Sequence, residues 1–261
     1  MARREGAMGA VGDMLRVEGL SKRFGRFQAL DGLSFELKRG EVLGFLGRNG
    51  AGKSTTIKIL CNLLRADAGQ AWLDDTPILG TTSVEHRRMI GAVIEAPRFY
   101  PQLSGMDNLA QVARLHGVEG ERTAEILARV GLKDAAHVMF GHYSMGMRQR
   151  LGLAAAFVHK PRLAILDEPT NGLDPVGQRQ IRSLIRNLAA EEGGSTLLCS
   201  HVLEEVEELC GRALVIDGGR KILDMPLGGT VIEKAAAMGG LRECFEVLAS
   251  GEPFATGETA S

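Results

Sequence analysis

Leu15 and Val17, then Leu33, Phe35 and Leu37, alternate with polar neighbours. A period of two marks strands with one buried face, and these stretches predict an antiparallel layer. A different texture follows. Glu41-Val42-Leu43-Gly44-Phe45-Leu46 is nearly all apolar and runs into glycines. So short a run without alternation predicts a strand buried on both faces, as in a parallel sheet. A helix is expected after it, from Lys53 to Leu64. Residues 96–160 change character again. Ile126, Leu127 and Val130 stand at helical spacing within Arg122 to Val130, with Gly131 as the stop, and Leu151 to Val158 also reads as helix. This segment is expected to be a mostly helical insertion.

Strand texture returns at Leu163-Ala164-Ile165-Leu166, Thr196-Leu197-Leu198-Cys199 and Ala213-Leu214-Val215-Ile216. Between the first two, Ile181, Leu184, Ile185 and Leu188 fall on one helical face. Strands alternating with helices predict an α/β fold around a parallel sheet. Residues 1–13, rich in Gly, Ala and Arg, carry no periodicity. They are expected to be a disordered leader, with Met14 as an alternative start. The tail beyond Leu223 is expected to hold one or two short helices, and Gly251 to Ser261 to be disordered.

A length of 261 residues suffices for one substantial domain, and 44% apolar with 24% charged residues is ordinary for a globular chain. The formal net charge of -1 argues against binding nucleic acid through phosphate contacts. The basic pairs Arg3-Arg4 and Arg87-Arg88 read as solvated surface charge. None of the four cysteines, Cys61, Cys199, Cys210 and Cys244, is spaced as a Cys-x-x-Cys metal or redox pair, and with no apolar run after Arg3-Arg4 to make a secretory signal, reduced thiols in the cytoplasm are expected. The longest apolar stretches, such as Leu153 to Val158, fall far short of the roughly 20 residues of a membrane helix. Any membrane role must therefore come through a partner.

Two patterns carry chemistry. The 41–46 strand runs into Gly47-Arg48-Asn49-Gly50-Ala51-Gly52-Lys53-Ser54, a Gly-x-x-x-x-Gly-Lys-Ser phosphate cradle. Glycines let backbone N–H groups wrap phosphate oxygens, and the start of the next helix adds partial positive charge. Lys53 brings a full charge toward the β- and γ-phosphates, and the Ser54 hydroxyl can ligate Mg²⁺. Thr55 continues the cradle into the helix. The second pattern is an apolar strand ending in Asp167-Glu168. Asp167 is placed to hold Mg²⁺ through water, and Glu168 to take a proton from an attacking water.

Along the chain come the phosphate loop, Glu95, Tyr143-Ser144-Met145-Gly146-Met147, Asp167-Glu168, Asn171-Gly172-Leu173-Asp174 and His201. In this order and spacing the chain resembles the nucleotide-binding subunits of ABC transporters over roughly residues 15–222. The resemblance implies a P-loop NTPase (RecA-like) core with an antiparallel β layer and a helical subdomain at about 96–155. It implies ATP and Mg²⁺ as ligands. Phe24 is then the adenine-stacking aromatic. Ser144 and Gly146 are the signature residues that face the γ-phosphate held by a second copy, ahead of a helix starting near Met147. Asp174 belongs to the loop crossing the dimer, and His201 is the switch histidine. Two positions depart from the family. Glu95 stands where Gln is usual, so a position expected to touch Mg²⁺ or the attacking water gains a negative charge. The usual Leu-Ser-Gly-Gly-Gln reads Tyr-Ser-Met-Gly-Met.

Glu95 with Ala96-Pro97, Phe99-Tyr100-Pro101 and this signature look like the bacitracin- and lantibiotic-export branch. The implied protein is a cytoplasmic, ATP-hydrolysing exporter subunit that dimerises head to tail, has no nucleic-acid partner, and meets the inner face of the cell membrane only through a separate permease. Two other readings stay open: a non-transport ABC ATPase acting on ribosomes or DNA, and a weakly catalytic regulatory nucleotide-binding subunit.

Overall fold

The computed structural model describes residues 13–80, 88–95, 97–118, 120–192, 194–228, 239–244 and 246–247. The expected leader lies outside them except for Asp13, as does the stretch from Gly251 to Ser261. The chain opens with β1 (Asp13–Phe24) and β2 (Phe27–Lys38), a hairpin paired from Asp13↔Lys38 to Phe24↔Phe27. With β4 (Ala68–Leu73) and β5 (Thr76–Pro77) they form a four-stranded sheet in the order β2-β1-β4-β5. The second sheet has six strands, ordered β10-β9-β3-β8-β7-β6. These are β3 (Val42–Leu46), β6 (Ile90–Val93), β7 (Leu163–Asp167), β8 (Ser195–Ser200), β9 (Arg212–Asp217) and β10 (Arg220–Pro226). All neighbours in it are parallel except β10 and β9.

Successive residues of the central strands go to different cores. Leu43, Phe45, Leu163, Ile165 and Leu197 pack against the antiparallel sheet and against α1 (Lys53–Leu60), alongside Leu15, Leu33, Phe35 and Ile57. Leu46, Ala164, Leu166 and Leu198 face the other way, toward the remaining helices. Both faces are covered, which is why these strands read as continuous apolar runs.

The helices of that second face are α2 (Gly105–Leu115), α3 (Gly120–Arg129), α4 (Met145–Phe157), α5 (Pro175–Glu192) and α6 (Leu203–Leu209). Ser104 caps α2 by accepting from the Asp107 amide, and Ile126 and Leu127 bury the predicted face of α3. Arg122 ties α3 to α5 through Glu192 at 2.9 Å, and Arg129 adds pairs to Glu191 and Glu192. Pro175 opens α5, where its missing N–H costs nothing.

The joint between α4 and the sheet is close. A methyl group on Gly91 of β6 would stand 1.9 Å from the Ala156 carbonyl oxygen. Beside it His159 stacks on His116, ring centroids 3.8 Å apart, and its Nε2–H donates to the Ile90 carbonyl at 3.2 Å. Burial first, then the neighbouring His116, pulls His159 down to about 4.

Several expectations need correction. The first helix stops at Leu60 rather than Leu64, because Asn62 takes φ 55 and donates its side-chain amide to the Ile78 carbonyl at 2.7 Å. The helix expected near Met147 starts at Met145, with Ser144 as its cap. β10 continues three residues past Leu223, held by Arg212 on Asp224 at 2.7 Å. Short β4, β5 and β6 were not anticipated.

Two predictions follow from the joint. Gly91→Ala forces α4 off the sheet and lowers stability by about 1–3 kcal/mol, read from the denaturant midpoint at unchanged slope. The folded state holds His159 neutral while the unfolded chain protonates it. Stability attributable to it is full above pH 6.5 and is lost as pH falls toward about 4. The loss is on the order of 2 kcal/mol, and His159→Gln should make the acid limb of a stability-against-pH curve correspondingly shallower.

Candidate functional site

The strand register sets the site. Leu46 of β3 pairs with Ser200 of β8, and Asp167 of β7 pairs with Cys199. Three parallel strands therefore end at one level, and the segments beginning at Gly47, Glu168 and His201 leave them side by side. In open α/β sheets ligands bind outside the carboxyl ends of the strands. A cavity of about 560 Å³ opens there, lined on one side by Arg48, Asn49, Gly50, Gly52, Lys53, Ser54 and Thr55. Asp167, Glu168 and Glu95 line its other side.

The loop of 47–52 is shaped by its glycines. Gly50 and Gly52 take φ 85 and 111, conformations closed to most side chains. Ala51 is buried, and its carbonyl accepts from the Gly219 amide at 3.0 Å. A side chain on Gly47 would meet the Ile216 carbonyl at 2.5 Å. Gly52 leads α1 with no side-chain cap and no acid in the first turn, which leaves a helix start suited to an anion. Lys53 is 6% exposed and donates to the Gly47 carbonyl at 2.6 Å, holding its charge inside the loop.

Glu168 lies 3.9 Å from Lys53 through Oε1 and 2.7 Å from His201 Nδ1 through Oε2. The backbone of Glu168 is left-handed, φ 50, and its amide donates to the Cys199 carbonyl at 2.9 Å. Asp167 is buried. Burial and then the adjacent Glu168 push it up to about 6, against the pull of Lys53. A buried aspartate and a half-buried glutamate share one buried lysine, Lys53. Together with the exposed Ser54 hydroxyl the two acids offer the hard oxygen donors that suit Mg²⁺. The residues present therefore fit both a triphosphate and its cation.

Glu95 also takes a left-handed backbone, φ 57. It lines the cavity and, beyond it, a second groove of about 610 Å³ shared with Lys58, Phe99, Val112 and His116. Lys58 pairs with it at 3.0 Å, and this hydrogen bond holds the Glu95 carboxyl below its usual range.

The other expected residues lie apart from the cavity lining. Phe24 is 47% exposed at one end of the β1–β2 turn, and Phe27, at the other end, is the ring that lines the cavity. Ser144 is exposed and caps α4 by accepting from the Met147 amide at 3.3 Å, with Gly146 in the first turn. Asp174 is exposed and accepts from the Gly177 amide at 2.9 Å at the head of α5. His201 reaches the site through Glu168. Met145, Asn171 and Gly172, which belong to the quoted motifs but were given no site role of their own, also line the cavity, as does Gln149, which was not anticipated. Among the described residues, no group of three or more His, Cys, Asp or Glu is arranged to hold a metal by itself. No helix among the described residues is long and apolar enough to cross a membrane.

A phosphate loop after one buried strand and an acid pair ending its neighbour but one define a P-loop nucleotide hydrolase. The family model of ABC transporters matches residues 30–171. The chain is 43% identical to the ABC transporter ATP-binding protein YdbJ of Bacillus subtilis, over 83% of this chain and 70% of that one. It is 38% identical to the bacitracin transport ATP-binding protein BcrA of Bacillus licheniformis, over 82% of this chain and 70% of that one. Among solved structures, cbiO1 of Clostridium perfringens, part of an ABC transporter complex, superposes with a TM-score of 0.76 at 27% identity, covering 91% of this chain and 99% of that one. The protein belongs to the ABC transporter family, as an ATP-hydrolysing ATP-binding subunit.

Replacing Glu95 by Gln removes one negative charge beside the cavity and frees Lys58. Without divalent cation, ATP should then bind about twofold to fivefold more tightly than to the parent, measured with a fluorescent ATP analogue in chelator.

Proposed function

We propose that this chain powers export of peptide antibiotics or other drugs as one half of a dimeric motor, bound to a separate permease at the inner face of the cell membrane. Relatives named for bacitracin and lantibiotic transport support the cargo class. The same reading makes Glu95 the joint to the permease, because it borders both the cavity and the groove beside residues 95–99.

The observation that carries the mechanism is Glu168 between Lys53 and His201, at 3.9 and 2.7 Å. ATP enters with its phosphates against the loop, and Lys53 leaves the Gly47 carbonyl for the β- and γ-oxygens. The adenine stacks at the β1–β2 turn, on Phe24 or on Phe27. Ser54, Asp167 and Glu95 would hold Mg²⁺, which would neutralise charge on the β- and γ-phosphates. Glu168 accepts a proton from the water whose oxygen attacks the γ-phosphorus, and the bond to the bridging oxygen breaks, leaving ADP and phosphate. His201 orients that water. Ser144 and Gly146 of a second copy complete the γ-phosphate site from the start of their α4, and Asp174 lies at the crossing between the copies.

Glu168→Gln keeps the shape but cannot take the proton. It should bind Mg-ATP like the parent, accumulate as a dimer in size-exclusion chromatography with ATP, and hydrolyse at least about 100-fold more slowly. Parent-like multiple turnover by this variant contradicts the assignment.

A further inference from the structure

A buried carboxylate outside the expected motifs joins the two segments that carry Glu168 and His201. Glu205 of α6 is 1% exposed. Its Oε1 accepts from the Thr170 hydroxyl, two residues past Glu168. Its Oε2 accepts from the Ser200 hydroxyl at 2.6 Å, one residue before His201. Ser200 Oγ in turn accepts from the Val202 amide at 2.9 Å, so the backbone on both sides of His201 is fixed to the same carboxylate. Burial pushes Glu205 upward, and the Ser200 hydrogen bond opposes it. A group this costly to bury is retained only with its hydrogen bonds made.

We propose that Glu205 is a positioning residue for ATP hydrolysis: it locks the 168–171 turn to the 200–202 turn and thereby sets the Glu168–His201 contact. The inference rests on the reading of Glu168 and His201 as the hydrolytic pair. The physical need is visible in the backbone. Glu168 sits at φ 50, a strained position that persists only where its surroundings over-determine it. Its amide is held by the Cys199 carbonyl, and its turn closes through the Asn171 amide on the Glu168 carbonyl. Those bonds fix Glu168 to β8 but leave the 170–171 side of the turn and the His201 side without a common anchor. Glu205 supplies it. Small displacements at a reacting centre are expensive: about 1 Å can cost about 100-fold in rate.

The test uses the full chain with Mg-ATP. Glu205→Ala should lower kcat about tenfold or more with KM within about twofold. Thr170→Val, which removes one hydroxyl at constant shape, should lower kcat by a smaller factor. Glu205→Gln keeps one acceptor oxygen and should recover part of the loss. Combined with Thr170→Val, it should fall short of the product of the two single effects, because both act on one bond. Thermal midpoints are recorded for each variant and rates are normalised to folded protein. Should Glu205→Ala fail to fold, Thr170→Val and Glu205→Gln carry the test. Parent-like kcat in the folded variants, or losses that vanish on normalisation, overturn the proposal. Glu168→Gln and His201→Ala are assayed beside them. If those two abolish turnover while the Glu205 and Thr170 variants do not, this inference alone fails. If those two also turn over like the parent, the hydrolytic pair fails with it.

Discussion

Three parallel strands ending at the same height is the constraint from which the site follows. The pairings of β3, β7 and β8 bring Leu46 level with Ser200 and Asp167 within one residue of them, and the phosphate loop, the acid pair and the histidine leave from that edge. A slip of one residue in any of these pairs would turn each side chain to the other face of the sheet. It would also exchange the two cores, since Leu43 and Phe45 serve one and Leu46 the other. Register here is therefore protected by apolar burial on both faces, far from the polar groups that use it. The stability of the cores and the geometry of the site are one requirement.

The level edge is only a platform, and the chain bends away from it under strain. Glu95 and Glu168, the two acids that leave β6 and β7, both take left-handed backbones without being glycine. Such positions cost about 1–3 kcal/mol each. Each is held from outside by a different device. Lys58 reaches across to Glu95, while Glu168 is tied by backbone bonds and by the buried Glu205 cluster. The first device is exposed and ionic, hence soft to salt and to ligand; the second is buried and hydrogen-bonded, hence stiff. An exposed, ion-paired acid on the side of the groove and a stiffly held acid beside His201 are what a site would need if one senses and the other hydrolyses.

Much of this was legible in the chain. The two-sided strands at 41–46, 163–166, 196–199 and 213–216 read as unbroken apolar runs because both of their faces are buried, and the Gly-x-x-x-x-Gly-Lys-Ser loop is a local backbone demand that no fold can hide. Other features were not local. β6 has four residues, two of them Gly91 and Ala92, and it exists because β7 pairs with it. Phe24 and Phe27 flank one tight turn, and only the twist of the hairpin decides which of them lines the cavity. Glu205 was the least readable. In Glu204-Glu205-Val206-Glu207-Glu208 it looks like one acid of a solvated face, and nothing in that stretch tells that Thr170, 35 residues earlier, will meet it. Pattern reveals which face is buried; it does not reveal a polar residue that tertiary contacts bury.

Charge gives the cavity its order of events. Asp167, Glu168 and Glu95 border it against Lys53 and Arg48, and Lys58 is occupied by Glu95. Asp167 is pushed up to about 6 by burial and by Glu168, so the site resists its own second negative charge. A triphosphate alone would enlarge that excess, against which stand Lys53, Arg48 and the start of α1. A divalent cation alone would relieve the acids but would find no phosphate oxygens to complete its shell. Each ligand thus removes the penalty on the other, which is positive coupling of the kind that linkage requires to be reciprocal. On the proposed mechanism, the charge of Glu95 steepens that coupling. On the same reading the coupling extends toward the groove, because a cation drawing Glu95 inward would compete with Lys58, and Lys58 lies on the groove side.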